Sequence, residues 1–96
     1  MANFYTRPLA QQDIQEVIDY YDELSPKLAD SFLAELEQCY NKIKQAPEGY
    51  QKRLGNIRAA FLKKFPFGVY YKIYGEKIVV IAILHTSRNP SIWKKR

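Results

Sequence analysis

Close to its carboxyl end the chain reads LHTSRNPSIWKKR, residues 84–96, and this short stretch holds the only histidine, His85, and the only tryptophan, Trp93, with Arg88 and the terminal cations Lys94, Lys95 and Arg96. Imidazole is the one side chain whose unperturbed titration falls near neutrality, so His85 suits general acid or base work. It suits a structural hydrogen bond at the end of a strand equally well. Arg88 precedes the turn-forming Asn89–Pro90 and has few acidic neighbours in sequence to neutralise it. Trp93 is either a lid packed on the domain or an anchor for a partner.

Upstream, Arg58, Lys63, Lys64 and Lys72 are interleaved with Phe61, Phe65, Phe67, Tyr70, Tyr71 and Tyr74. Cations among flat rings are what single-stranded nucleic acid rewards, because the cations meet phosphate while the rings stack on bases. Core packing is the competing use of every ring. Alternation in FGVYYKIY would turn Val69, Tyr71 and Ile73 toward the helices and leave Tyr70, Lys72 and Tyr74 on the open face. A face carrying Arg58, Tyr70 and Lys72, bordered by His85 and Arg88, would form a basic surface for RNA or for an acidic protein segment. Other chemistry finds little support. One histidine and one cysteine give no zinc-type spacing, so no metal and no cofactor are expected. Cys39 falls on the apolar stripe of a helix, where a thiol acts as a small hydrophobe. Asp13, Glu16, Asp19 and Asp22 read as the solvated face of a helix.

The elements that must hold these residues follow from periodicity. ANFYTRP has β-forming alternation and predicts a first strand closed by Pro8. Ala10, Ile14, Val17, Ile18, Tyr21 and Leu24 make the stripe of one amphipathic helix. Ser25–Pro26 ends it and starts a second, striped by Leu28, Ala29, Phe32, Leu33, Leu36, Cys39, Tyr40 and Ile43, with Ser25 as a possible cap. So short a connection predicts an antiparallel helical hairpin. Residues 47–55 read as a polar loop. Three strands follow, NIRAAFL, FGVYYKIY and the wholly apolar KIVVIAILH. Gly75 stands where a type II′ turn between the last two needs positive φ. The order β-α-α-β-β-β predicts an α+β domain, residues 1–96, with the hairpin packed on a small antiparallel sheet.

Composition bounds the setting. Ninety-six residues with 47% hydrophobic and 26% charged side chains make one ordinary globular domain. The longest apolar run, Ile78 to Leu84, is too short to span a bilayer, and no signal-peptide pattern opens the chain, so the cytoplasm is the expected location and no membrane partner is expected. Charge is polarised. Residues 1–50 carry four Lys/Arg against nine Asp/Glu, and residues 51–96 carry eleven against one, Glu76. A balance of −5 facing one of +10 suggests a basic surface for an anionic partner.

The segments from Asp13 to Pro47, Ile57 to Ile73, Ile78 to Arg88 and Asn89 to Arg96 together resemble the RelE/ParE superfamily of toxins, closest to its ParE-like, plasmid-stabilisation branch. The most specific pieces are Tyr20–Tyr21, Ser25–Pro26, Phe65–Pro66–Phe67, and His85 through Trp93 with Ser87–Arg88 and Pro90. The resemblance implies the toxin of a type II toxin–antitoxin pair, neutralised by a cognate antitoxin encoded beside it. RelE-like members cut mRNA on the ribosome by assisting attack of a ribose 2′-OH on phosphate; ParE-like members inhibit DNA gyrase. For an endoribonuclease, the resemblance would make Arg58, Arg88 and His85 catalytic. Tyr70, Lys72, Arg88, Trp93, Lys94, Lys95 and Arg96 would bind the target or RNA in either case. Two positions depart from the cutting branch: Gly68 stands where a third-strand arginine is common, and Ala60 replaces a basic residue. The gyrase reading therefore leads, ahead of the ribosome-dependent endoribonuclease and of an inactive RNA- or protein-binding module.

Overall fold

A computed structural model describes residues 3–87 of the chain. The elements are β1 (Asn3–Thr6), α1 (Pro8–Leu24), α2 (Pro26–Gln45), β2 (Lys52–Leu54), β3 (Ile57–Phe61), β4 (Phe67–Tyr74) and β5 (Lys77–His85). Five strands form one sheet in the order β1-β5-β4-β3-β2, with the helical hairpin on one face. The architecture is the expected α+β arrangement, with two corrections. The sheet is mixed, because β1 pairs parallel to β5 from Asn3 opposite Lys77 to Thr6 opposite Val80. Alternation gives a strand its faces and says nothing of its direction; β1 runs straight into α1 with no hairpin to reverse it. The stretch read as a loop also contains a 3₁₀ turn, Pro47–Gly49, and the strand β2. All three β2 residues are exposed, so no burial pattern marked them, and the register with β3 alone makes them a strand.

The two helices meet at a single residue, Ser25. Its side chain caps nothing. The backbone does the work instead: the Ser25 N–H donates to Tyr21 O, and its carbonyl accepts from Leu28 and Ala29. Pro26 opens α2 at the one place where a missing N–H costs nothing. Ala10 and Val17 of α1, and Ala29, Phe32, Leu36, Cys39 and Ile43 of α2, are buried. The stripes fail only near the hairpin tip, where Leu24, Leu28 and Leu33 stay exposed.

Under the helices lie Ala60, Val69, Tyr71, Ile78, Val80 and Ile83, with Phe65, Phe67, Phe32 and Tyr21 meeting edge to face. Each fully buried ring or branched chain here contributes roughly 1.5–3 kcal/mol. Gly75 has φ +58° and Glu76 a negative φ, which is the backbone of a type II′ turn. A bulge in β5 shifts the register between Tyr70 opposite Ala82 and Tyr71 opposite Val80. Asp13, read as part of a solvated face, instead turns inward and accepts the Ile83 N–H at 3.0 Å.

Glu35 of α2 fixes the turn between β3 and β4 by accepting the backbone N–H groups of Lys63 and Lys64. Removing a charged acceptor from such donors costs about 1–3 kcal/mol. Glu35→Ala is therefore expected to lower urea stability by that amount, whereas Glu37→Ala, exposed on the same helix, should change it by less than about 0.5 kcal/mol.

Burial raises the Cys39 thiol from 9.0 to about 11 and the Tyr71 phenol from 10.0 to about 12. A group whose folded pKa is raised loses its proton first in the unfolded chain. Stability should be intact below pH 9 and fall as pH climbs from there through about 11 to 12, as denaturation series across that range will read. Cys39→Ala should remove the lower part of that fall.

Candidate functional site: the open face of the sheet

The faces of β3 and β4 follow from their register. Arg58 lies opposite Tyr71, Ala59 opposite Tyr70 and Phe61 opposite Gly68. Directly opposed residues share a face, so Arg58 goes with Tyr71 beneath the helices. Tyr70 goes with Ile57, Ala59, Ala82 and Leu84 in a second, smaller cluster on the open side.

Under the helices, the Tyr71 hydroxyl donates to Pro47 O at 2.6 Å, and an Arg58 N–H donates to Tyr50 O at 2.6 Å and to Glu48 O at 3.2 Å. Two side chains from neighbouring strands thus hold the 47–50 turn. The expectation that Arg58 shares a surface with Tyr70 and Lys72 is corrected here: the guanidinium lies across the sheet from them. Assigning Arg58 to their face overlooked that residues 47–50 offer it backbone carbonyls on the other side.

His85 is also placed elsewhere. It lies opposite Phe67, whose ring packs against Tyr21 and Phe32, so both belong to the helix side. The imidazole meets the Phe67 ring edge to face at 5.3 Å and adjoins grooves lined by Leu9, Asp13 and Glu16 on one side and by Tyr20, Tyr21 and Leu24 on the other. Its Nδ1 accepts the Ser87 N–H at 3.1 Å and lies 2.8 Å from Ser87 Oγ, which is the structural bond at a strand end. Of the residues expected on the basic face, Tyr70 and Lys72 share it and Arg58 and His85 do not. Arg88, Trp93, Lys94, Lys95 and Arg96 lie outside the described residues.

The open face has a cation that sequence reading missed. Arg53 of β2 stands 5.0 Å from the Phe61 ring centroid, and Phe61 meets Tyr70 at 6.2 Å with rings at 89°. Burial raises the Tyr70 phenol, and the Arg53 charge pulls it part of the way back. Arg53 was hidden because β2 gives no strand signal. Gly68 belongs to the same cluster: a Cβ there would sit 2.9 Å from two Phe61 ring carbons. The position is a seat for an aromatic ring, which explains why no larger side chain stands there. The result is a half-exposed ring flanked by Arg53 and Tyr70, with Lys72 further along β4. It can hold an anionic or planar group by charge and stacking.

The structure matches a chain of the chromosomal ParDE TA system from P. aeruginosa with a TM-score of 0.78 at 19% identity, covering 88% of this chain and 96% of that one. Toxin ParE2 of Mycobacterium tuberculosis, from the strains CDC 1551 / Oshkosh and ATCC 25618 / H37Rv, is 26% identical over 82 residues, 84% of this chain and 78% of the relative. The profile of the ParE toxin of type II toxin-antitoxin system, parDE, matches residues 5–90, and the chain belongs to that family.

The seat at Gly68 makes a quantitative demand. Gly68→Ala should push the Phe61 ring off Tyr70 and Arg53, costing about 0.5–1.5 kcal/mol for the lost ring contacts. The same substitution in a Phe61→Ala background should cost less, since only the Tyr70 ring edge at 3.3 Å then meets the added Cβ, so a double-mutant cycle in urea should return a positive coupling.

Proposed function

We propose that this toxin acts by inhibiting DNA gyrase, works in the cytoplasm and is held inactive by a cognate antitoxin. Family membership supports the class; the direction of Arg58 supports the mechanism. An RNA cutter needs cations converging on one scissile phosphate to stabilise its developing charge. Arg58 has its guanidinium committed to the Glu48 and Tyr50 carbonyls, and Gly68 is occupied from above by Phe61. Two strand positions that would flank a phosphate thus serve the fold. Tyr70, Lys72, Phe61 and Arg53 form the target-facing surface in this reading, and Trp93 and the cations Arg88, Lys94, Lys95 and Arg96, outside the described residues, are assigned the role of a protein-binding anchor.

One observation favours a second reading. Arg53, Phe61 and Tyr70 bring a cation and two rings together, as single-stranded RNA binding asks. This keeps mRNA on the ribosome as the competing target.

Inducing the gene without its partner and pulse-labelling DNA, RNA and protein within the first minutes separates the two. An early halt in DNA synthesis is expected, with loss of supercoiling activity when purified gyrase is mixed with the protein. An early halt in protein synthesis that disappears in Arg88→Ala would assign the ribosomal reading instead.

A further inference from the structure

The open face of the sheet is buried more deeply than the elements around it account for. Leu84 lies opposite Gly68, which brings no side chain, and its open-face neighbour along β5 is Ala82. On its other flank β1 has already ended, opposite Val80. The Phe61 ring over Gly68 shields one side only. Side chains stand up from a sheet, so neighbours this small leave the outer end of a leucine uncovered. Among the described residues no helix and no second sheet lies over this face. Yet Leu84 keeps only 5% of its surface, Ala82 none and Tyr70 7%.

Two stretches of the chain could supply the cover. Met1 and Ala2 join β1 at Asn3, opposite Lys77, at the far end of β5 from Leu84. At about 3.3 Å per residue that end is roughly 23 Å away, beyond the reach of two residues. Residues 88–96 start beside the patch. The Thr86 N–H donates to Pro66 O, and the chain turns at Thr86 and Ser87 instead of running on past the sheet. From Ser87 to Trp93 an extended chain reaches about 20 Å, whereas β3 lies two strands, about 10 Å, from β5. The order of side chains fits as well. Pro90, Ile92 and Trp93 stand between Arg88 and the cations Lys94, Lys95 and Arg96. Apolar groups can thus cover the patch while the charges stay at its rim, where salt screens their repulsion from Arg53 and Lys72.

From this we infer that residues 88–96 fold back across the open face of the sheet, seating Trp93 on Ala82, Leu84 and Tyr70 and setting Arg88 and the terminal cations beside Arg53 and Lys72. The tail is then no free arm. With the sheet it makes one basic surface around the half-exposed Phe61 ring. That surface suits an acidic protein segment better than a nucleic-acid strand, because Trp93 and Tyr70 are turned onto each other and Phe61 alone is left beside Arg53 for a base to stack on. The inference rests on the gyrase reading above only for the target that the completed surface meets; the docking itself does not depend on it.

Trp93 is the only tryptophan, so its emission in the full chain reports the docking. The folded chain should emit to the blue of the urea-unfolded chain, with acrylamide quenching several-fold weaker. Nuclear Overhauser contacts should run from the Trp93 indole to the methyl groups of Ala82 and Leu84. Leu84→Ser should move the emission to the red, and Leu24→Ser, in the hairpin, should leave it unchanged. A water-like emission from the folded wild-type chain overturns the inference and leaves the gyrase reading standing. So do indole contacts to Leu24 and Leu28 in place of Ala82 and Leu84. Tight binding of a single-stranded oligonucleotide that perturbs Trp93 overturns the choice of a protein segment. Docking as inferred, in a chain that fails to inhibit purified gyrase, supports the inference and overturns the gyrase reading.

Discussion

A phenol hydroxyl buried at the centre of a sheet must find an acceptor or cost the fold its desolvation. Tyr71, with no exposed surface, donates to the Pro47 carbonyl, and much of the architecture depends on that bond. It ties the end of α2 to the middle of β4 through a turn that has no buried residue of its own. Arg58 strengthens the tie from the next strand, reaching carbonyls within three residues of the same point. With the turn so held, β2 leaves it in position to pair with β3, and Arg53 arrives over Phe61. The open-face cluster is thus a consequence of a hydrogen bond on the opposite side of the sheet.

The bulge in β5 does comparable work at the other edge. Val80 and Ile83 both enter the helix-side core although they stand three positions apart, and Ala82 and Leu84 lie on the open side. A strictly alternating strand cannot do this; one extra residue on β5, Ile81, changes the parity. The altered backbone needs an acceptor for the Ile83 N–H, because β1 ends opposite Val80, and Asp13 reaches in from α1 to provide it. A carboxylate that looked solvated by its helical position is therefore a clamp between α1 and β5.

Much of the fold could be read from the chain. Helical stripes, the Ser25–Pro26 break and the Gly75 turn are local signals with local causes, and each corresponds to an element in place. Alternation also assigned Val69, Tyr71 and Ile73 correctly to the helix side. What escaped was pairing. The direction of β1 and the existence of β2 are decided by partners distant in sequence. The candidate site suffered most, since its members come from three strands whose relative parity no single segment records. Arg58 and Tyr70 are each placed by their own strand, but only the register Arg58–Tyr71 reveals that they face apart. Arg53 lay in a segment without any periodicity and could be found only through its neighbour Phe61.

Charge polarity gains a direction from the structure. Glu16, Asp19, Asp22, Glu23, Asp30 and Glu37 are exposed on the helical hairpin, whereas Lys52, Arg53, Lys63, Lys64 and Lys77 are exposed around the sheet and its turns. Lys27, Lys42 and Lys44 are also exposed on the helices, so acidic charge outweighs basic on the hairpin while basic charge dominates the sheet and its turns. An acidic partner is repelled by the hairpin and drawn to the sheet, so the field orients it before contact, and such steering acts on association rate and specificity more than on final affinity. Orientation matters here because the Arg53–Phe61–Tyr70 cluster lies on the open face of the sheet, away from the acidic hairpin.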